Sequence, residues 1–194
     1  MNRRILTFTI SITACVALSG CAKQWYSFDG QRYKSPDTAL SKMDETYQGT
    51  VSNIKPLPKP LTTKKLVIAI PSQEAITNGI RDLNKKAGIP ITAASLIYLA
   101  KTDARNNQFL VDSIRQKNIY SGVETVETQL NPSLQPSADS DVLFSFASLD
   151  HRGTQWYLVS QRNGKQVLTH DVSLPTLLQR TESQLDFIKA FALQ

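Results

Sequence analysis

Two histidines, His151 and His170, are the most familiar catalytic side chains in this chain of 194 residues, and each lies beside an aspartate, Asp150 or Asp171. Imidazole serves as a general base at neutral pH when a carboxylate orients it toward a nucleophile. Serines are plentiful, but no Gly-x-Ser-x-Gly turn singles one out. A hydrolase using His151 or His170 is therefore an alternative, whereas their predicted positions at strand ends and turns favour a structural role.

Carboxylates also occur in close pairs. Glycoside hydrolysis needs two acids that face each other across a cleft in unlike environments. Asp139 and Asp141 would share one face at the start of a strand, so we interpret them as solvated charges. No His or Cys cluster has metal-ligand spacing, and no glycine-rich phosphate loop is present. We therefore predict no catalytic residue, no metal site, no cofactor and no enzymatic activity. The pairs are Asp44 with Glu45, Glu124 with Glu127, and Asp139 with Asp141.

The first twenty residues have the pattern of an export signal. Arg3 and Arg4 precede a mostly apolar stretch that runs from Ile5 to Leu18. That stretch is shorter than the roughly twenty residues needed to span the hydrocarbon core of a membrane. Its length fits the apolar region of a signal peptide, so residues 1–20 are left out of the fold.

The apolar stretch ends in Leu18-Ser19-Gly20-Cys21. This motif resembles the lipobox of bacterial lipoproteins, which implies cleavage before Cys21 and a diacylglyceryl group on its sulfur. The alternatives are an uncleaved anchor or a secretory signal with a chance cysteine. Because Cys15 would leave with the signal peptide, Cys21 would be the single cysteine of the mature chain and no intramolecular disulfide would form.

The lipobox resemblance also implies a location. In enterobacterial lipoprotein sorting, a residue other than aspartate after the cysteine favours the outer membrane, and here Ala22 follows Cys21. We therefore expect a lipid anchor on the periplasmic face of the outer membrane, held by acyl chains at about 0.8 kcal/mol per buried methylene. Without Arg3 and Arg4 the formal charge falls from +6 to +4, which is an ordinary charge for solubility. It would also attract anionic partners, but nucleic acid is not expected in the periplasm.

An N-terminal segment, residues 21–63, follows the lipobox. It opens with aromatic residues around Asp29-Gly30, a hairpin signal. These rings either pack on the protein's own domain or form a docking patch, since Trp and Tyr are frequent interface anchors. The predicted partner-binding residues are Trp25, Tyr26, Phe28 and Tyr33.

The same segment continues with a helix and a proline-rich stretch. Ser35 and Pro36 predict a helix start, and the apolar spacing predicts an end near Gly49. Prolines then alternate with other residues over 55–60, which favours a stiff polyproline conformation. We interpret this stretch as a rigid connector that holds the main domain off the membrane.

The main domain is predicted to cover residues 64–194. Apolar runs at 66–70 and 142–147 indicate buried strands, and Asn163-Gly164 indicates a hairpin between two further strands. Helical spacing begins at Thr92, as one bent helix or two, and a final amphipathic helix ends the chain. This order predicts an α/β sandwich, with one mixed sheet of four or five strands and helices packed on a face.

The main domain resembles a known group of envelope modules. The Ile119-Tyr120-Ser121-Gly122 break after a helix, the strand beginning Asp139-Ser140-Asp141, and the Asn-Gly hairpin carry the likeness. They are similar to the α/β domain of the curli-secretion lipoprotein, of lipoprotein activators of penicillin-binding proteins, and of the N-terminal domain of the Tol-system propeller protein. The likeness covers residues 64–172 and implies a noncatalytic module that binds other proteins.

Together these patterns predict a lipid-anchored periplasmic adaptor or accessory factor for an envelope assembly or cell-wall machine. Its partners would be the membrane, through Cys21, and an envelope protein. Two alternatives stay open: an envelope hydrolase that uses His151 or His170, and a lipoprotein that binds a small ligand between sheet and helices.

Overall fold

The structure is a computed structural model, and it describes residues 25–88, 90–129, 134–147, 154–159, 166–170 and 177–193. The signal peptide, Cys21 and His151 lie outside these ranges. The described elements, in chain order, are β1 (Tyr26–Phe28), β2 (Gln31–Tyr33), α1 (Pro36–Ser52), β3 (Thr62–Pro71), α2 (Gln73–Ala87), α3 (Ala93–Lys117), β4 (Tyr120–Thr128), β5 (Ser140–Ala147), β6 (Thr154–Val159), β7 (Gln166–His170) and α4 (Leu177–Ala192).

Five of the strands form one mixed sheet in the order β4-β3-β5-β6-β7. β3 pairs in parallel with both β4 and β5, whereas β5, β6 and β7 are antiparallel neighbours. β1 and β2 form a separate antiparallel hairpin around Asp29 and Gly30, both with positive φ. The predicted α/β class, with a mixed sheet of up to five strands and helices packed on it, is confirmed.

The central strand β3 is apolar because both of its faces are covered. Leu66 and Ile68 belong to the main core, which also includes residues of α3 and α4. Ala69 points to the other face, where it packs with Val142 and Phe144 of β5. A parallel strand that is covered on both faces needs apolar residues on both, which explains the unbroken apolar run in the sequence.

The helix α2 has a capping residue at each end. Ser72 caps it by accepting a hydrogen bond from the backbone N–H of Ala75 at 3.0 Å. Gly88 ends it in the left-handed conformation, with φ of 67°. Gly79 lies within the helix without breaking it, because the buried Ile76 and Ile80 pack with Ala100 of α3.

Residues 93–117 form one helix, α3, rather than two. The sequence left this open because Asn106 and Asn107 are poor helix formers. Both asparagines have a tertiary role: Asn107 is buried, and Asn106 accepts a hydrogen bond from the hydroxyl of Tyr47 in α1. Tertiary packing therefore outweighs their low helix propensity.

The N-terminal segment packs along α3. Early α1 residues, Ala39 and Leu40, share a cluster with Tyr98 near the start of α3. Tyr47, later in α1, shares a cluster with Phe109, so the two helices run in the same direction. α1 begins at Pro36 as predicted but continues past Gly49 to Ser52.

The proline-rich stretch is fixed to the end of α3. The backbone N–H of Leu57 donates to the carbonyl of Lys117 at 3.0 Å, and the Asn118 side-chain amide donates to the Leu57 carbonyl at 3.0 Å. The N–H of Leu61 donates to the carbonyl of Ile119 at 2.8 Å. The predicted rigid connector is therefore docked on the domain by these hydrogen bonds and does not stand away from it.

Candidate functional site

The predicted aromatic patch is largely turned inward. Tyr26 is buried, and its ring meets Tyr98 of α3 edge-on with ring centroids 4.9 Å apart. The Tyr98 hydroxyl donates to the carbonyl of Ser27 at 2.9 Å, which fixes the hairpin to α3. Tyr33 is half-buried against the same cluster. Tyr26 and Tyr33 thus attach the hairpin to the domain.

Phe28 also packs on the domain, where its ring meets Tyr47 edge-on at 5.8 Å. Trp25 differs from the other three aromatics because 45% of its surface is exposed. Of the four predicted partner-binding residues, Trp25 is therefore the one whose ring is open enough to contact a partner. The residue types alone do not predict which of these aromatics are buried. Tyr98, which covers Tyr26 and Tyr33, lies far away in the sequence.

The catalytic alternative rests on residues that the structure describes only in part. His151 lies outside the described residues, and His170 is the last residue of β7, paired through its backbone with Gln155. Within the described residues, no three His, Cys, Asp or Glu side chains are grouped to hold a metal ion. The hydrolase alternative stays a prediction.

Asp141 corrects the interpretation of the strand-entry carboxylates. Asp139 is exposed as expected, but the side chain of Asp141 is only 3% exposed. Its two carboxylate oxygens accept hydrogen bonds from Lys64 Nζ at 2.8 Å and from the Tyr120 hydroxyl at 3.1 Å. Asp141 is therefore not a solvated charge but a buried anion with two donors.

The surroundings of Tyr120 keep its phenol in the neutral form. Burial and the neighbouring carboxylate both raise the pKa of Tyr120 well above its usual value. The phenol consequently stays protonated and donates to Asp141 across the neutral and mildly alkaline range. This network joins the starts of β3, β4 and β5, where it holds the sheet together rather than offering a reactive group.

A cavity of about 300 Å³ lies between α1 and α3. Its floor includes the stacked rings of Tyr47 and Phe109, whose centroids are 4.3 Å apart. Its wall includes the Asp44–Arg105 pair, in which Arg105 Nε donates to Asp44 at 2.8 Å. The small-ligand alternative would place its cavity between sheet and helices, whereas this cavity lies between two helices. The remaining lining residues are Gln48, Val51, Ser52, Gln108 and Asp112.

Asp103 is a further carboxyl, only partly exposed, that the sequence did not single out. It lies one turn from the buried residues Ala100 and Asn107 on α3. Burial raises its pKa from 3.8 to about 6. Helical spacing could have identified it, because residues 100, 103 and 107 lie on one side of α3, the side that is buried at positions 100 and 107.

Asp103 makes stability depend on pH. Because its folded-state pKa is raised, the folded protein binds more protons than the unfolded chain between about pH 4 and 6. The free energy of unfolding should therefore rise as pH falls from 7 through 6 toward 4. Asp103→Asn should raise stability at pH 7.5, by up to about 3 kcal/mol, and remove this part of the pH dependence. Urea unfolding at pH 5 and 7.5 measures both effects, and a variant with the wild-type pH dependence would contradict the assignment.

The strand β4 forms one edge of the sheet, so one of its sides has no strand neighbour in the described sheet. Residues 124–127 are exposed. Glu124 and Val126 lie on one face of the strand, and Thr125 and Glu127 on the other. Natural edge strands are commonly protected by proline, lysine or a bulge on the open side. None of the nine residues of β4 is proline or lysine.

β4 is therefore a site at which another extended chain can add to the sheet. Its free backbone groups would supply the hydrogen bonds, and its exposed side chains would set the choice of partner. Glu124 already binds Lys65 Nζ of β3 at 2.7 Å, so Glu127 is the carboxylate without a described ion pair on this strand.

Comparisons of the chain with protein-family models, with curated proteins and with solved structures find no match. No helix in the described part of the chain is both long and apolar enough to cross a membrane. The interpretation of the sites therefore depends on the residues and contacts described above.

Proposed function

We propose that this chain is a lipid-anchored lipoprotein of the outer membrane that acts as a noncatalytic adaptor in the periplasm. Cys21 carries the lipid, and the domain binds a protein of an envelope assembly or cell-wall machine. The observation that carries the binding role is the edge strand β4, which combines nine residues in length with exposed side chains and no proline or lysine. The lipobox motif supports the anchor.

The binding mode follows from the geometry of β4. A partner strand would form a ladder with the open side of β4 and extend the sheet to six strands. Thr125, Val126 and Glu127 are the exposed residues that would contact its side chains. Trp25 offers a second, separate contact near the point where the chain enters the fold.

Replacing Cys21 with serine tests the anchor. A serine hydroxyl does not take the thioether-linked lipid, so Cys21→Ser should move nearly all of the protein out of the outer-membrane fraction. Cys15→Ser is the matched control, since the same change within the signal peptide should leave the anchor intact. Membrane fractionation with immunoblotting measures both, and a Cys21→Ser protein that still pellets with outer membranes would contradict the anchor.

Crosslinking from β4 tests the partner site. A photoreactive residue at Glu127 should form one discrete crosslinked product in intact cells, whereas the same residue at exposed Ser41 on α1 should not. Adding Thr125→Pro, which removes a backbone donor from the strand, should reduce the Glu127 product at least about fivefold. Equal crosslinking from both positions, or no effect of the proline in a variant that remains folded, would argue against strand addition.

Binding of a small ligand is a second candidate, and the cavity between α1 and α3 favours it. Its volume is at the lower end of the range for small-molecule sites. Its lining combines aromatic rings with the Asp44–Arg105 pair, so a ligand with an apolar body and a polar end would fit. Gln108→Trp, which fills the mouth from α3, should abolish such binding without changing the β4 crosslink.

A further inference from the structure

Three lysines are gathered at one end of the domain: Lys55, Lys59 and Lys117. We call them the lysine cluster. The proline-rich stretch brings them together by docking on the last turn of α3. Lys117 Nζ donates to the carbonyl of Lys55 at 2.9 Å. Lys59 lies between Leu57 and Leu61, whose backbone N–H groups donate to the carbonyls of Lys117, the last residue of α3, and of Ile119, two residues later.

The lysine cluster differs from the other lysines at this end of the fold. Lys64 is paired with Asp141, and Lys65 is paired with Glu124. In contrast, no carboxylate of the described residues lies within ion-pair distance of the three lysines of the cluster. Lys55 and Lys59 are exposed to solvent. Their charge is therefore available to an external anion.

The cluster is held in place before any partner arrives. Prolines at 56, 58 and 60 restrict the backbone between the lysines. The hydrogen bonds from the end of α3 fix both ends of this stretch. Binding therefore loses little backbone conformational entropy. A small number of charges can then give a measurable affinity.

The position of the cluster relative to the proposed anchor indicates where its partner lies. The chain enters the fold beside Tyr98, and Lys117 is nineteen residues further along the same helix, which is about 28 Å. Cys21 is at most about 14 Å of extended chain from Trp25. The lysine cluster is thus at the opposite end of α3 from the point where the chain that follows Cys21 enters the fold.

The side of the domain between these two ends is not attractive to an anionic membrane. The exposed surface of α1 carries Asp37 and Glu45, and its exposed Lys42 is already bonded to Glu45 at 2.6 Å. Laying α1 along an anionic leaflet would bring like charges together. An upright domain, with the lysine cluster directed away from the leaflet, avoids this repulsion.

We infer that the lysine cluster binds the repeated carboxylates of the cell-wall polymer. The orientation rests on the proposed lipid anchor, whereas the charge and geometry of the cluster do not depend on it. Three lysines on a rigid edge suit a polymer that offers carboxylates at many positions, because weak contacts then add along the chain. The domain would bridge the membrane that holds its lipid and the wall.

Cosedimentation with purified wall sacculi tests this inference. The lipoprotein in detergent should pellet with sacculi at 50 mM salt and much less at 300 mM. The triple variant Lys55→Gln, Lys59→Gln, Lys117→Gln should bind at least about tenfold more weakly. A control with the same loss of charge, Lys42→Gln, Lys85→Gln, Lys86→Gln, should stay within about twofold of the wild type. Because Lys117 also holds the proline-rich stretch, Lys59→Glu alone should weaken binding at least about threefold.

Three results would overturn the inference: equal binding by the cluster variants and the wild type, an equal loss in the control, or binding to phosphatidylglycerol vesicles but not to sacculi. The Cys21→Ser chain separates this site from the anchor. It should bind sacculi like the wild type, even where fractionation shows that the anchor assignment is wrong.

Discussion

Replacing Asp141 with alanine is expected to lower the free energy of unfolding by about 3–5 kcal/mol. Lys64 is only 18% exposed at its side chain, and Asp141 is its carboxylate partner at 2.8 Å. Without that carboxylate, a largely buried ammonium keeps its desolvation cost and loses its counter-charge. The Tyr120 hydroxyl also loses its acceptor at 3.1 Å. Urea unfolding followed by circular dichroism at pH 7 measures the loss.

A pair on the surface provides the matched control. Glu124→Ala breaks the Lys65–Glu124 pair, in which both side chains are more than half exposed, so its cost should be at most about 1 kcal/mol. The joint replacement Lys64→Met, Asp141→Leu removes both buried charges and should recover most of the stability. A loss of less than 1 kcal/mol for Asp141→Ala would show that solvent reaches the network and screens it.

The second large effect is expected at Tyr47, which fastens α1 to the rest of the fold. Tyr47→Ala should cost about 3–5 kcal/mol, the range found when a large buried aromatic side chain is removed. The change deletes the stack on Phe109, the edge contact with Phe28 and the hydrogen bond to Asn106. Because these contacts attach the N-terminal segment to α3, we expect that segment to open before the sheet does. Limited proteolysis should find new cleavage within residues 25–60.

Two conservative variants separate packing from the hydrogen bond. Tyr47→Phe keeps the stack and loses the hydroxyl, so it should cost about 1 kcal/mol. Lys42→Ala, which removes an exposed pair on the same helix, should leave the free energy of unfolding nearly unchanged. Wild-type resistance to proteolysis in Tyr47→Ala would show that the segment is held mainly by other contacts.

The sheet was predictable because its strands carry local signals. The apolar run in β3 and the Asn-Gly pair between β6 and β7 depend on residues a few positions apart. The two strands predicted on either side of this pair are present as β6 (Thr154–Val159) and β7 (Gln166–His170), which pair antiparallel. The Asn163-Gly164 turn itself lies outside the described residues.

The helices were harder to predict because their stability comes from contacts with other elements. Gly79 and the Asn106-Asn107 pair lower helix propensity by about 1 kcal/mol or less per residue. Burial of Ile76 and Ile80 against α3 contributes more than that. A sequence pattern shows the local penalty but not the packing that offsets it.

The sites were least predictable because their partners lie far apart in the chain. Asp141 has the sequence context of a solvated strand entry, and its cation is 77 positions away, at Lys64. Tyr26 is of a residue type that often anchors interfaces, but in the fold it is buried against Tyr98. The lysines at 55 and 59 appeared to belong to a spacer, and docking on α3 gives them a fixed place on the domain.

The parallel pairing of β3 on both sides also sets the order of folding. The partners of Leu66 are Val123 and Asp141, which follow it by 57 and 75 residues. A chain made from its N-terminus therefore has β3, with its apolar run at 66–70, without these neighbours until β4 and β5 follow. Such long-range pairing slows folding and leaves an aggregation-prone strand exposed in the meantime. β3 is thus the strand that would gain most from protection until β4 and β5 are available.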